Sequence, residues 1–467
     1  MFDIATFTQR RKQLLEQLDS GLVLLLGNEE SPMNYKDNIY PFRQDSSFLY
    51  YAGLDRPHLA VLIDVEEAKT TLFGEEASTE MVVWTGPQPS LEGQAANAGI
   101  ENTAPYSTLE DHLKAALEKG RLIHYLPLYR HDAIIKLHQW LGKSIEEIKT
   151  GASLDLIKAV ISQRSIKSAA EQREMAQAVT ISGAMHLAAM RAARPGIREA
   201  RLAGIVEGIA VAAGGRLSYP AILTIHGQTL HNHFHGNKLA EGRLVLGDFG
   251  AETGLHYAGD ITRTFPVAKT FNTQQKEIYQ IVLGALRAAL AALKPGYRFL
   301  DAHLLASRKI AEGLKELGLM KGDPAEAVKA GAHALFFPHG LGHMIGLDVH
   351  DMENLGEDLV GYSENVQRSE QFGLSALRLA KALQPGFTIT VEPGIYFIPE
   401  LIDQWKDEQQ HSDFINYDKL DDYLEFGGVR IEDNVTITED GYEILGEPIP
   451  TTVEEVESIR AETGEKK

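Results

Sequence analysis

The chain has 467 residues, of which 44% are hydrophobic and 24% are charged, and its formal net charge is -20. This length exceeds one ordinary hydrophobic core, so it predicts two domains. The excess of acidic residues repels polyphosphate and anionic lipid, which argues against nucleic acid and membrane surfaces as partners. The sequence holds no cysteine, which excludes disulfides, thiolate metal sites and cysteine nucleophiles and is consistent with a cytoplasmic location.

Residues 1–160 mix apolar runs with helical stretches, a pattern typical of an α/β domain. The runs "GLVLLLG", "LAVLIDV" and "MVVW" predict strands, whereas "FTQRRKQLLEQL" and "LEDHLKAALEKG" predict helices. The apolar part of the first run, Leu22 to Leu26, is too short for a signal peptide or a membrane span, so we expect no export.

A second domain is predicted over residues 161–467, where the mixture of apolar runs and helical stretches gives way to a long helical stretch. Ser168 and Glu171 have the spacing of a helix capping box, and the helix that they begin should end at the "RPG" that follows. The charged C-terminal tail, "TTVEEVESIRAETGEKK", predicts a solvated helix or a frayed end.

The second domain contains an internal repeat. "RPGIRE" and "KPGYRFLD" each begin an amphipathic stretch after a Pro-Gly break. "GRLVLGDFG" and "GFTITVEPG" share the pattern of a glycine, five residues, an acid, one residue and a glycine, with Asp248 and Glu392 as the acids. Another acid follows each of them in a strand-like run, Asp260 in "GDITRTF" and Glu432 in "GGVRIEDNVTI". Two related halves that contribute matching carboxylates are therefore predicted.

These four acids are expected to share one site. Because side chains alternate along a strand, each acid is expected on the same face as its neighbours two positions away. Buried together, four carboxylates repel one another unless they are protonated or neutralised by cations, and two divalent ions would balance their charge. Oxygen-rich ligation with one imidazole suits Mn²⁺, with Co²⁺ or Zn²⁺ as alternatives. Each acid taken alone is better explained as a surface residue at a strand end, and it is the set of four in duplicated contexts that favours a metal site. The aligned sets are Leu244, Leu246 and Asp248; Thr388, Thr390 and Glu392; Asp260, Thr262 and Thr264; and Gly428, Arg430 and Glu432.

Histidines that would complete such a site lie in two segments. "FPHGLGHMIGLDVHD" holds three, but its glycines argue against a regular helix, so the HxxxH spacing is a weak signal. "TLHNHFHGN" places three on alternate positions, which leaves a separate metal site as an alternative. Each histidine taken alone is also explained as a structural hydrogen-bonding group. The six candidates are His231, His233, His235, His339, His343 and His350.

Together, "LH" at 230, "DFG", "YAGDITRTFP", "HGLGH", "GLDVHD", "TVEPGIYF" and "GGVRIEDN" resemble the pita-bread metallopeptidase family M24B, in particular the Xaa-Pro dipeptidases (prolidases) and aminopeptidases P. The first domain is similar to the creatinase-like N-terminal domain of these enzymes through "YPFRQDSSFLYYAGL" and "VVWTGPQ". The resemblance implies an α/β (α+β) chain with a creatinase-like domain over residues 1–160. It implies a pita-bread catalytic domain with a pseudo-two-fold internal repeat over residues 161–467.

The resemblance also implies five ligands for two divalent metal ions. Asp248 would bind one ion, Asp260 and Glu432 would bridge both, and His343 and Glu392 would complete the second. Asp248 and Asp260 are one position further apart than is usual in the family. The extra residue is expected in the turn "AETGLH", because a residue added inside a strand would turn one aspartate away from the site.

The implied reaction is hydrolysis of the Xaa-Pro bond, a tertiary amide without an N–H that general proteases bind poorly. Hydroxide bridging the two ions would attack the scissile carbonyl. By resemblance, Glu392 would shuttle the proton, and His231 and His350 would orient the substrate and stabilise the oxyanion. Arg430 would contact an acid or the substrate, or form a structural ion pair.

Two features favour a dipeptidase. Arg378 stands where prolidases carry an arginine that pairs with the free carboxylate of a dipeptide, and the segment between Glu392 and Glu432 is similar to a prolidase insertion. The spacing from His231 to Asp248 is instead more like that of aminopeptidase P, which releases an N-terminal residue before proline from longer peptides. A non-catalytic pita-bread binding protein is a distant alternative, since such proteins lose the metal-binding acids.

The expected partner is a small Xaa-Pro peptide. The resemblance implies a homodimer supported by the N-terminal domain, in which Trp84 of "VVWTGPQ" reaches toward the active site of the neighbour and contributes to substrate binding. Packing of Trp84 within its own domain is the alternative interpretation.

Overall fold

The structure of the protein is a computed structural model that describes residues 2–462. It contains two compact units. One comprises residues 2–164 with 354–356, and the other comprises residues 165–353 and 357–462. The predicted division of domains after residue 160 stays a prediction.

The N-terminal unit is built on a five-stranded mixed sheet in the order β6-β5-β4-β1-β7. Its strands are β1 (Leu22–Leu26), β2 (Pro32–Tyr35), β3 (Asn38–Ile39), β4 (Ala60–Asp64), β5 (Lys69–Gly74), β6 (Asn102–Pro105) and β7 (Ile123–His124). Its helices are α1 (Ile4–Leu15), α2 (Ser46–Ala52), α3 (Thr79–Thr85), α4 (Leu91–Asn97), α5 (Leu109–Glu118), α6 (His131–Leu141), α7 (Ile145–Thr150) and α8 (Leu154–Ser165). Leu24 and Phe73 of the sheet pack against Leu113 and Leu137 of α5 and α6.

Two predicted strands and both predicted helices of this unit are confirmed as β1, β4, α1 and α5, but the predicted strand at "MVVW" is wrong. This run lies in helix α3, because the Ser78 side chain accepts a hydrogen bond from the Met81 N–H and caps a helix at this position. Trp84 on α3 is 80% exposed, and its two interpretations stay predictions.

The C-terminal unit carries two three-stranded sheets, β12-β10-β9 and β13-β16-β17, and two ribbons, β11-β8 and β14-β15. Its strands are β8 (Arg216–Leu217), β9 (Ile222–Thr224), β10 (Leu244–Asp248), β11 (Ala251–Glu252), β12 (Thr262–Pro266), β13 (Thr388–Val391), β14 (Gly394–Tyr396), β15 (Gly428–Arg430), β16 (Asp433–Ile437) and β17 (Tyr442–Ile444). Its helices are α9 (Ala169–Ala192), α10 (Glu199–Ala212), α11 (Thr273–Ala292), α12 (Phe299–Glu316), α13 (Pro324–Ala330), α14 (Glu357–Gly361), α15 (Pro399–Asp407) and α16 (Val453–Ala461).

The two halves of this unit repeat one arrangement. Helix α9 packs on α10 in the first half, and α11 packs on α12 in the second. The Gly196 N–H donates to the Leu239 carbonyl at 2.8 Å, and the Gly296 N–H donates to the Leu383 carbonyl at the same distance. Strand β10 pairs antiparallel with β12, as β13 does with β16. The predicted internal repeat is therefore confirmed, and the capping box predicted at Ser168 begins α9.

The four acids of the repeat lie at or just beyond strand ends. Asp248 is the last residue of β10, and Asp260 precedes β12 by two positions. Glu392 directly follows β13, and Glu432 lies between β15 and β16. At a strand end the side chain need not pack within the sheet, while the hydrogen bonds of the strand still fix the backbone of the acid.

The C-terminal tail differs from the prediction of a solvated helix or a frayed end. Its helix α16 is capped by a box between Thr452 and Glu455 and buries Val453, Val456 and Arg460. Residues 463–467 of the predicted tail lie outside the described residues. None of the helices between residues 2 and 462 has both the length and the apolar composition needed to cross a bilayer.

Arg263 joins the two halves, and we expect Arg263→Met to destabilise the protein. Its guanidinium is buried, donates to Asp433 Oδ1 at 2.7 Å and donates to the carbonyl of Pro450 at 2.8 Å. Removing it leaves a buried carboxylate and buried carbonyls without their donor, a change that costs about 3–5 kcal/mol. Urea unfolding followed by circular dichroism measures the loss.

Arg191→Met is the matched control for this prediction. Arg191 pairs with Glu462 at 2.8 Å, but both side chains are half exposed, at 49% and 50%. Removing an exposed pair of this kind costs about 0–1 kcal/mol. Equal unfolding midpoints for the two variants would show that Arg263 does not join the halves in the way described.

Candidate metal centre

A cavity of about 430 Å³ lies within the C-terminal unit. All of the predicted site residues except Trp84, which belongs to the N-terminal unit, line this cavity. They are His231, Asp248, Asp260, His343, His350, Arg378, Glu392, Arg430 and Glu432. The volume falls within the range of about 300–1,000 Å³ that small-molecule sites occupy.

Part of the cavity wall is formed by acids from both halves around one imidazole. His343 Nε2 lies 3.3 Å from Asp260 Oδ2 and 3.6 Å from Glu392 Oε1. Asp260, His343 and Glu432 are all buried, and each offers a ligand atom within 4.8 Å of the others. These three residues therefore have the spacing required to share one metal ion.

The imidazole of His343 is held with Nε2 toward the acids. Its Nδ1 lies 3.0 Å from the Met344 carbonyl, which can only accept, so Nδ1 carries the proton and Nε2 is left to bind. The His343 backbone N–H donates to Thr390 Oγ1 at 3.0 Å. A side chain at Gly342 would collide with the Thr390 carbonyl, so glycine permits the close approach of this loop to strand β13.

Hydroxyl groups contact all four carboxylates, and Thr390 Oγ1 donates to Glu392 Oε1 at 3.3 Å. The Tyr219 hydroxyl lies 2.6 Å from Asp248 Oδ1 and also contacts Asp260 Oδ1. Thr262 Oγ1 donates to Glu432 Oε2 at 2.7 Å. Because one hydroxyl reaches both aspartates, both carboxylates face the same point.

The longer spacing between Asp248 and Asp260 does not separate these two side chains. Strand β10 pairs with β12 in an unbroken register in which Asp248 lies opposite Thr262. The intervening turn contains His256, whose φ of 66° is in the left-handed region. The chain reverses there, in the "AETGLH" segment, and both flanking strands keep their alternation.

Arg430 is buried and binds several groups at the wall of the cavity. It forms an ion pair with Asp248, and its Nη1 donates to the Tyr396 hydroxyl at 2.7 Å. Its Nε donates to Thr262 Oγ1 at 3.1 Å. The structure therefore contains the ion pair that was one interpretation of Arg430, at a position that also faces the cavity.

Burial and mutual repulsion disfavour the ionised form of three of the acids. Burial raises the pKa of Glu392 to about 7 against the opposing charges of His343 and Arg430, and the charges of Asp260 and Asp248 contribute a smaller increase. Burial together with repulsion from Asp260, Glu392 and Asp248 raises the pKa of Glu432 well above its ordinary value. Burial also raises the pKa of Asp248, against the opposing charge of Arg430.

Asp260 and His343 shift in the opposite sense. Burial alone would raise the pKa of Asp260 and lower that of His343. The hydrogen bond between them and the attraction of the surrounding opposite charges together outweigh burial, so the pKa of Asp260 falls and that of His343 rises to about 9. The cluster thus favours a positive charge between its carboxylates.

The residues present fit a divalent metal centre. Glu432 Oε1 is buried and has no hydrogen-bond partner among the described residues. A buried carboxylate oxygen without a donor is unfavourable unless a cation approaches it. Four carboxylates and one imidazole match the donors preferred by Mn²⁺, and they also suit Co²⁺ and Zn²⁺.

The three histidines of "TLHNHFHGN" differ in their relation to the cavity. His231 and His233 line the cavity but are largely exposed. His235 Nε2 lies 3.0 Å from the Ala221 carbonyl. Within residues 2–462, these three do not form a group with metal-binding spacing, and a separate site there stays a prediction.

His350 and Arg378 share an acidic neighbour. His350 Nδ1 lies 3.2 Å from Glu353 Oε2, and its ring is 4.2 Å from that of His343. Arg378 donates to the same Glu353 oxygen and lies 3.5 Å from Glu357 Oε2. Both residues face the same cavity as the acids.

Several residues of the site had no assigned role in the sequence analysis. Tyr219 and Glu353 lie in none of the motifs and are identified only through their contacts, whereas Tyr396 lies in "TVEPGIYF" but was given no role. His339 was a candidate without a role. Its Nε2 lies 2.8 Å from the Tyr396 hydroxyl, and burial lowers its pKa to about 3. The "FPHGLGH" segment, in which it precedes His343, was the one signal that pointed to it.

Comparisons with known proteins agree along the whole chain. The model of metallopeptidase family M24 matches residues 173–439, and that of the aminopeptidase P N-terminal domain matches residues 7–124. The Xaa-Pro dipeptidase of Homo sapiens is 31% identical over 473 residues, which cover 98% of this chain and 94% of that protein. The protein named "Probable Xaa-Pro aminopeptidase" in Fusarium vanettenii is 33% identical over 438 residues, covering 91% and 88%.

Solved structures show the same architecture. Pseudomonas aeruginosa aminopeptidase PepP matches with a TM-score of 0.81 at 29% identity, over 98% of both chains. Zinc-substituted E. coli aminopeptidase P in complex with product matches with a TM-score of 0.81 at 29% identity, over 100% of both chains. The chain belongs to metallopeptidase family M24.

It is thus a hydrolase whose relatives are Xaa-Pro dipeptidases and Xaa-Pro aminopeptidases. Its mixed α/β architecture, with an aminopeptidase P-type N-terminal domain and an M24 C-terminal domain, is that of the pita-bread enzymes. The family and the fold class predicted from the sequence are confirmed.

We expect divalent metal ions to stabilise the folded protein, because they neutralise carboxylates that are brought together only on folding. A ligand at 100 times its Kd stabilises by about 2.7 kcal/mol. Calorimetry of chelator-treated protein with and without Mn²⁺ measures the rise in unfolding temperature. Asp260→Asn should remove most of this rise, whereas the exposed control Asp413→Asn should retain it. An undiminished rise in Asp260→Asn would exclude this cluster as the binding site.

Proposed function

We propose that the protein is an Xaa-Pro dipeptidase that uses two divalent metal ions to hydrolyse the bond before a C-terminal proline. The observation that carries this proposal is a single cavity that combines the acid and imidazole cluster with Arg378. The cluster supplies a centre for hydrolysis, and the arginine supplies a contact for a free carboxylate. The relatives of known name support the Xaa-Pro specificity.

The metal ions would be held by Asp248, Asp260, His343, Glu392 and Glu432, with Mn²⁺ preferred and Co²⁺ or Zn²⁺ as alternatives. When bound, a pair of divalent ions supplies an activated water and polarises a scissile carbonyl. Tyr219 and Thr262 hold three of these carboxylates in position through their hydroxyl groups.

The side chains of the protein would carry the proton and orient the substrate. Glu392 is buried beside His343 and faces the cavity, where its carboxylate can take a proton from water and pass it to the proline nitrogen. His231 and His350 line the cavity and would donate hydrogen bonds to the substrate and to the developing oxyanion. Arg430 would keep Asp248 ionised and oriented.

Recognition of proline requires contacts that do not depend on an N–H at the scissile bond. The Xaa-Pro amide has no such donor, so the enzyme has to hold the peptide by its ends and by the carbonyl. The guanidinium of Arg378, which is 34% exposed, would bind the carboxylate that follows proline. This contact would restrict the preferred substrate to dipeptides.

Cleavage of longer peptides, as by an aminopeptidase P, is the second candidate. The charge of Arg378 is already opposed by Glu353 and Glu357, which weakens the case for a free carboxylate at this position. The two solved structures described above are also aminopeptidases. The presence of all five candidate ligands argues against a non-catalytic binding protein.

A cytoplasmic homodimer is part of the same proposal. Trp84 is 80% exposed on α3, beside the exposed Val83. Large exposed apolar side chains of this kind are often covered in an assembly. This supports a role for Trp84 at the neighbouring subunit, where it would help to bind the peptide substrate.

We expect Ala-Pro to be hydrolysed with a higher kcat/KM than Ala-Pro-Ala by the metal-loaded protein. Arg378→Ala should lower kcat/KM for Ala-Pro by roughly 10- to 100-fold, since a hydrogen bond to a charged group contributes about 1.5–3 kcal/mol. The same change should affect Ala-Pro-Ala much less. Efficient cleavage of the tripeptide that does not depend on Arg378 would instead establish the aminopeptidase.

Glu392→Gln tests the proposed proton carrier. The amide keeps an oxygen that can bind a metal ion but cannot take up a proton. We therefore expect kcat for Ala-Pro to fall about 10²- to 10⁴-fold with little change in KM. The metal content of the variant, measured in parallel by mass spectrometry, separates loss of chemistry from loss of the ions. A metal-loaded variant with full kcat would rule out Glu392 as the carrier.

A further inference from the structure

Glu353 contacts two cavity-lining residues without lining the cavity itself. Its Oε2 lies 3.2 Å from His350 Nδ1 and accepts a hydrogen bond from Arg378 Nη1. Its side chain is only 17% exposed. One oxygen of this carboxylate therefore serves both a histidine and an arginine that face the proposed substrate.

The other oxygen of Glu353 has no such partner. Oε1 is buried and accepts no hydrogen bond among the described residues. Burial alone would raise the pKa of Glu353, but the hydrogen bond with His350 and the charges of His350 and Arg378 outweigh it and lower the pKa. Glu353 is thus an ionised carboxylate that forms an ion pair with Arg378.

A second carboxylate lies on the same side of Arg378 but is otherwise engaged. Glu357 Oε2 is 3.5 Å from Arg378 Nη1, and Glu357 Oε1 pairs with Arg368. Arg368 also contacts Asp358 at 2.7 Å. Glu353 is therefore the closer of the two acids that oppose the charge of Arg378.

We propose that Glu353 determines how strongly the site distinguishes a peptide that ends at proline from one that continues. It is a positioning residue that acts through Arg378 and rests on the proposed Xaa-Pro hydrolysis. Its negative charge offsets the guanidinium, so a free terminal carboxylate gains less at this position than it would beside an unopposed arginine. The preference for dipeptides over peptides with an uncharged group after proline is consequently smaller than an unopposed arginine would give.

The physical argument is electrostatic. A substrate carboxylate bound to Arg378 lies close to Glu353, and two like charges in a partly buried site repel one another. An amide or a further residue after proline carries no charge at that position and escapes this repulsion. Both kinds of substrate have the same scissile bond, so contacts at that bond do not distinguish them.

Glu353→Gln separates the charge from the geometry. The amide oxygen can keep the contacts of Oε2, and the amide nitrogen can take the place of the unpartnered Oε1. The two substrates are Ala-Pro and its amide Ala-Pro-NH₂, which differ only in the terminal charge. We expect the ratio of their kcat/KM values to rise roughly tenfold in favour of Ala-Pro, as expected for loss of a nearby charge in a partly buried site. The rise should come from a lower KM for Ala-Pro.

Two matched variants serve as controls. Glu353→Asp keeps the charge, so the ratio should stay near that of the unaltered protein even if kcat falls for both substrates. Glu357→Gln removes the more distant charge, so the ratio should rise less than in Glu353→Gln.

The outcomes distinguish this inference from the proposed function. If the unaltered metal-loaded protein cleaves neither Ala-Pro nor its amide, the proposed function fails. If it cleaves them and Glu353→Gln lowers kcat for both equally without changing their ratio, Glu353 only supports His350 and the inference is overturned. An equal rise of the ratio in Glu353→Asp would overturn it as well, because the charge would then not be the cause.

Discussion

The structure of the C-terminal unit depends on placing four carboxylates and one imidazole in a common buried space. Burial of Asp248, Glu392 and Glu432 raises their pKa values, and repulsion among the four carboxylates adds to this cost. The fold opposes the repulsion with Arg430 on one side and His343 on the other. Cations that enter the cluster would complete this balance, which is why a metal centre is the simplest explanation of its composition.

The duplicated architecture provides the rigidity that such a cluster requires. Strands β10 and β13 are matching elements of the two halves, and each delivers an acid at its end. Arg263 and Thr262 then tie the first half to the second through Asp433 and Glu432. The acids are therefore fixed by backbone pairing on both sides, and specificity is left to the more exposed rim, where Arg378 and Glu353 lie.

Local signals in the sequence predicted much of this arrangement. The capping box at Ser168, the Pro-Gly breaks and the repeated glycine-acid pattern each act over a few residues and are confirmed. The run "MVVW" misled because an apolar run alone does not separate a strand from a short helix, and the hydrogen bond of Ser78 decided for a helix. The prediction of a solvated or frayed C-terminal tail was wrong because Val456 and Arg460 are buried by tertiary packing.

The sequence by itself determined the family, the repeat and the kinds of donor available, since these follow from residue identity and short-range spacing. Only the tertiary structure decided that Tyr219 lies between two aspartates and that Glu353 opposes Arg378. The reason is physical: helix and strand preferences act over a few neighbouring residues, whereas these contacts join segments that are far apart in the chain. Their distances are set by the packing of whole sheets and helices.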